Sequence, residues 1–161
     1  MTWGIPTETF LQIHVVISLI AILAGCFVLY GLFIGKTWSG WTVLFLATTI
    51  LTSVTGFPLP PFGFDPARAL GVILLVLVAL AVAALYAYRL AGAWRWIYVG
   101  ATVAAFYLNV FVAVVQAFQK LPLLQPLAAA QSVVQVVVLA AFIALGALAI
   151  IKFHPQANVP T

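Results

Sequence analysis

The chain has 161 residues, of which 66% are apolar and 5% charged, with six Lys and Arg against two Asp and Glu. A soluble domain carries roughly a quarter charged residues, so a water-facing surface cannot be built from this composition. The cations are scattered one or two per polar break without a patch, which argues against a nucleic-acid partner.

In chain order, apolar runs occupy residues 9–34, 40–57, 67–88, 94–119 and 131–153. Runs of this kind match the roughly 20 residues a helix needs to cross a bilayer. None alternates with period two, as a membrane β-barrel strand would. The expected fold class is an all-α membrane protein: one integral membrane domain over residues 1–161, built as a bundle of five transmembrane helices. Leu23-Ala24-Gly25-Cys26 has the form of a lipoprotein cleavage box. No Lys or Arg precedes it and the apolar run continues past it, so a retained span is expected, with Cys26 small and buried. A lone cysteine forms no internal disulfide.

The breaks between runs have physical causes. Gly35-Lys36-Thr37-Trp38-Ser39-Gly40 reads as a polar turn. Phe57-Pro58-Leu59-Pro60-Pro61 cannot continue a helix, because proline lacks the N–H and clashes with the preceding turn. Asp65-Pro66 then predicts a restart, with Asp65 as N-cap and Pro66 at the first helical position. Leu90-Ala91-Gly92-Ala93, flanked by Arg89 and Arg95, is a weaker break, and Pro122 and Pro126 separate the last two runs.

An odd number of spans puts the termini on opposite sides. Lys36, Arg89, Arg95 and Lys152 fall at one set of ends, Arg68 and Lys120 at the other. Four cations against two predict an N-terminus outside and a cytoplasmic C-terminus by the positive-inside rule. Trp38, Trp41, Trp94 and Trp96 fall at the same ends as the four cations and fit an interfacial aromatic belt.

The polar residues inside the runs lie in stripes, since side chains three, four or seven apart share a helix face. His14 and Ser18 lie on the first run, Thr48, Thr49, Thr52, Ser53 and Thr55 on the second. Tyr98, Thr102, Asn109 and Gln116 lie on the fourth, and Gln131 and Gln135 on the fifth. With alternating spans the strongest of them are expected to share the outer leaflet. His14, Ser18, Thr52, Ser53, Asn109, Gln116 and Gln135 are therefore the candidate ligand-binding set. Two functions follow. One is a polar outer-leaflet pocket that binds or passes a small molecule or ion. The other is a structural or accessory subunit whose polar groups are interhelical glue. A quinone- or haem-linked redox component is a third reading, held back because His14 is the only histidine within a span.

No catalytic residues are assigned. Mid-span carboxylates, a mid-span lysine and a set of metal-ligating side chains are all missing from the runs, and the expectation leans against an enzyme. No cofactor is indicated. The third run has no polar side chain from Gly71 to Leu85 and is expected to face lipid or another copy. Ala79, Ala83 and Ala87, and Ala140, Ala144 and Ala147, form small-residue stripes that predict a homo-oligomer. Beyond the bilayer and that second copy, no partner is indicated.

The stretch from Leu90 to Tyr98, then Tyr107-Leu108-Asn109-Val110-Phe111-Val112, Gln116-Ala117-Phe118 and Thr52-Ser53-Val54-Thr55-Gly56-Phe57, resembles a family of small multi-spanning bacterial membrane proteins. That resemblance implies a bacterial inner-membrane location and no particular activity. The Trp-Asn-Pro-Pro type of motif found in tryptophan-rich sensory proteins is absent.

Overall fold

A computed structural model describes residues 1–60, 63 and 65–154. Its helices are α1 (Thr7–Phe33), α2 (Ser39–Gly56), α3 (Pro66–Val82), α4 (Trp94–Lys120) and α5 (Gln131–Lys152). A π-helical turn, Ala83–Ala87, extends α3, and a 3-10 segment, Gln125–Ala130, leads into α5. α1, α2, α4, α5 and, together with its π-helical turn, α3 are long and apolar enough to cross a membrane, the pattern of a multi-pass membrane protein. Among the described residues there is no β-strand, only an isolated bridge between Thr2 and Ile5 that tightens the approach to α1.

The helix ends follow from local chemistry. After α1, the Lys36 N–H donates to the Gly31 carbonyl at 2.9 Å and the Gly35 N–H to the Leu32 carbonyl at 3.3 Å, closing a Schellman turn. Gly35 takes the left-handed conformation this turn requires, at φ +69°. Asp65 caps α3 as expected, its Oδ1 accepting from the Arg68 N–H at 2.9 Å. Arg68 in turn pairs with Asp65 Oδ2 at 2.6 Å and donates to the carbonyls of Phe57 and Leu59. One guanidinium thus satisfies the orphan carbonyls beyond α2 and fastens them to the start of α3. Of this proline-rich break, Pro61, Phe62 and Phe64 lie outside the described residues.

The break after α3 is sharper than its sequence suggests. Arg89, Leu90 and Gly92 all have positive φ, at 48°, 59° and 54°. For the two non-glycine residues this conformation costs about 1–2 kcal/mol each. Tyr88 and Trp94 stack across the turn with ring centroids 3.7 Å apart and help to hold it closed.

α1, α2, α3 and α4 pack in a ring, each against the next, and α5 lies outside that ring against α4 and α1. This corrects one expectation. The third run does not lie outside the bundle: Gly71, Leu74, Val78, Ala81 and Ala84 turn inward at spacings of three and four and are buried. Only its opposite face, with Ala79 and Ala87, is exposed. The fifth run is the peripheral one, with Ala149 the only buried residue along α5 and Phe153 buried just after it. α5 is anchored at that end, where Phe153 meets Tyr98.

The ring closes around Phe106 of α4. Its aromatic ring meets Phe45 of α2 edge-on at 6.2 Å and Phe142 of α5 at 5.1 Å. It also lies against Gly25 of α1, where a Cβ would stand 2.5 Å from Phe106 Cδ2. Glycine at position 25 therefore sets how closely α1 and α4 approach. Gly25→Ala is expected to destabilise the bundle by about 1–3 kcal/mol, the usual cost of overpacking. Adding Phe106→Leu is expected to recover part of that loss. Thermal unfolding in mild detergent checks this, and a melting temperature unchanged by Gly25→Ala counts against the packing described.

Candidate functional site

The polar side chains form a column along α2 and α4, with α1 contributing at one end. At the end that carries Asp65, His14 Nδ1 lies 2.8 Å from Thr55 Oγ1. The Thr55 hydroxyl already donates its single proton to the Leu51 carbonyl at 2.6 Å. The Thr55 hydroxyl is thus shared between its own helix and the imidazole. Nε2 makes no hydrogen bond among the described residues, and the imidazole is half-buried beside Gly56, whose added Cβ would stand 3.6 Å from Cε1.

Midway along the bundle, Asn109 Nδ2 donates to Thr49 Oγ1 at 3.0 Å. Both residues are buried, at 5% and 0% exposure, so this bond crosses the interior between α4 and α2. A third group lies towards the end that carries Trp94. Thr42, Tyr98 and Thr102 are all buried, with the Tyr98 hydroxyl directed at the two threonines. The Tyr98 and Thr102 oxygens make no well-formed hydrogen bond there.

The remaining candidates are used differently from one another. The Ser18 hydroxyl donates to the His14 carbonyl at 2.8 Å and that of Ser53 to the Thr49 carbonyl at 2.9 Å, each a bond within its own helix. Such back-bonds satisfy a hydroxyl in an apolar setting without joining helices. Thr52 Oγ1 is buried without a partner. Gln135 Nε2 donates to the Phe111 carbonyl at 3.0 Å and ties α5 to α4, while its Oε1 is buried and unpaired. Gln116 is exposed, not turned into the bundle beside Thr52 and Ser53. It lies on the Asn109 face, two turns on.

Two apolar grooves flank α5. One, of about 370 Å³, runs between α1, α4 and α5 and is lined by Ile22, Cys26, Tyr30, Phe106, Phe142 and Leu145 among others. The other, of about 440 Å³, lies between α4 and α5 over Val103, Tyr107, Phe142 and Gly146. Neither takes in any residue of the polar candidate set. Cys26 is exposed along the first groove, which corrects the expectation that it is buried.

Thr42 was not singled out by the sequence reading. Its spacing of seven from Thr49 is the signal that places it on the buried face of α2. His14 and His154 stand at opposite ends of the bundle, so they cannot be paired axial ligands of one haem. Among the described residues no three His, Cys, Asp or Glu side chains come together as a metal site. No known protein family, curated protein or solved structure matches this chain.

Proposed function

We propose that this chain is a multi-pass protein of a bacterial inner membrane, N-terminus outside and C-terminus in the cytoplasm, acting as a non-enzymatic accessory subunit. The orientation rests on charge. Lys36, Arg89, Arg95 and Lys152 sit at one end, and of the two cations at the other, Arg68 is tied to Asp65. The accessory reading rests on the buried Asn109–Thr49 bond, which spends the two most central polar side chains on each other. Polar groups paired in this way hold helices in register and leave little with which to grip a solute. The exposed length of α5 and the grooves beside it provide surface for neighbours in the bilayer, including a second copy of the chain.

A second reading is favoured by one observation. His14 Nε2 makes no hydrogen bond among the described residues, and an ionisable group within a span is a functional candidate by default. In that reading the protein binds or passes a small molecule bearing a hydroxyl or other hydrogen-bonding group, held at the Asp65 end by His14. Liposomes containing the purified chain separate the two. The accessory reading predicts fluxes of protons, potassium ions and small neutral solutes equal to those of protein-free liposomes. A flux that His14→Gln abolishes would overturn it in favour of passage. Reporter fusions after Thr161 check the orientation: activity confined to cytoplasmic reporters is expected, and activity confined to periplasmic reporters contradicts it.

A further inference from the structure

The three elements that line the groove between α1, α4 and α5 each carry a cation towards the Trp94 end of the bundle. On α4, Arg95 precedes Phe106 by eleven residues, three helical turns, and so shares the face that lines the groove. On α5, Lys152 follows Leu145 by seven residues, two turns along the same face. On α1, Phe33 lines the groove and the Schellman turn carries Lys36 three residues beyond it.

Contacts bring these ends together. The Arg95 guanidinium lies 3.9 Å over the Trp96 ring, and Trp96 meets His154 edge-on at 6.3 Å. A Cβ on Gly35 would stand 3.2 Å from the His154 carbonyl, so the chain after α5 lies against the turn after α1. Arg95 Nε is buried and has no hydrogen-bond partner among the described residues. The only two acidic side chains, Glu8 and Asp65, are at the other end of the bundle. Carbonyls at the C-termini of α1 and α5 draw cations to this end, yet they supply no counter-charge of a full unit.

We propose that this end of the groove is a binding site for an anionic phospholipid. Its phosphate sits among Arg95, Lys36 and Lys152, and an acyl chain lies along Ile22, Cys26 and Leu145. Charge complementarity selects the occupant: three cations without an acidic partner at the mouth of an apolar groove match a lipid that is anionic at one end and apolar at the other. Basic pockets between membrane helices hold anionic headgroups on the same grounds. The site rests on the reading of the chain as a membrane protein.

The test is native mass spectrometry of the full chain, purified in mild detergent and offered phosphatidylglycerol and phosphatidylcholine with identical acyl chains. Wild type is expected to retain phosphatidylglycerol in preference. Arg95→Gln, and separately the pair Lys36→Gln with Lys152→Gln, are expected to lower its retention about fivefold per cation removed. Leu145→Trp fills the groove and is expected to lower retention of both lipids without changing charge. Lys120→Gln, at the opposite end, leaves the preference unchanged. Equal retention of the two lipids by wild type, or a preference that none of the groove-end variants reduces, overturns the proposal. A preference lost on adding inorganic phosphate but indifferent to Leu145→Trp marks a phosphate site and also overturns it. Carbonate washing of the same membranes keeps the two claims apart. A chain that washes out refutes the membrane reading itself, and one that stays but shows no lipid preference refutes only this site.

Discussion

The bundle depends on α4 reaching across its interior to α2. Phe106 and Asn109, three residues apart on one face, carry that contact: the ring against Phe45, the amide to Thr49. The hydrophobic effect sorts helices poorly when their surroundings are as apolar as their side chains. Close packing and a few hydrogen bonds then decide which helices meet and at what height. Here close packing is set by Gly25 beneath Phe106, and height by the Asn109 amide, which has one well-placed acceptor on the facing helix. Thr42, Tyr98 and Thr102 add a second polar layer nearer the Trp94 end.

The ends of the bundle are managed by unequal means. At the Asp65 end, Arg68 closes the connection from α2 to α3 through an ion pair and three backbone-directed bonds, so its charge is matched within the protein. At the Trp94 end, the turn after α3 is held by left-handed Arg89 and Leu90 and by aromatic stacking, and no acidic side chain is present. The cations at the Trp94 end have no acidic partner, whereas Arg68 at the other end is paired with Asp65.

Much of the architecture was legible in the residues. The five runs, the Gly35 turn and the Asp65-Pro66 restart each rest on local chemistry, and local chemistry is what composition and spacing report. The places of α3 and α5 were not legible, because a helix without polar side chains shows no contrast between its faces. In α3 the informative pattern is one of size, with Gly71, Leu74, Val78, Ala81 and Ala84 inward, and size contrast is weaker than polarity contrast. The polar stripe on α4 located Asn109 correctly within the bundle, but it could not show that Gln116 on the same stripe is exposed. Nor does spacing reveal which hydroxyls bond back to their own helix. Ser18, Ser53 and Thr55 do so, and Thr49 and Thr55 each meet a side chain from another helix.

The account turns on the Asn109–Thr49 bond, and a double-mutant cycle measures it most directly. Unfolding free energies in mild detergent for wild type, Thr49→Val, Asn109→Leu and the double variant give the coupling between the two side chains. The predicted coupling is about 0.6–2 kcal/mol, the range for hydrogen bonds between membrane helices. Thr49→Val alone is predicted to cost more than the double variant, because it leaves the Asn109 amide buried without an acceptor. Effects that add to within about 0.3 kcal/mol, as those of independent sites do, would contradict the claim that this contact sets α4 against α2.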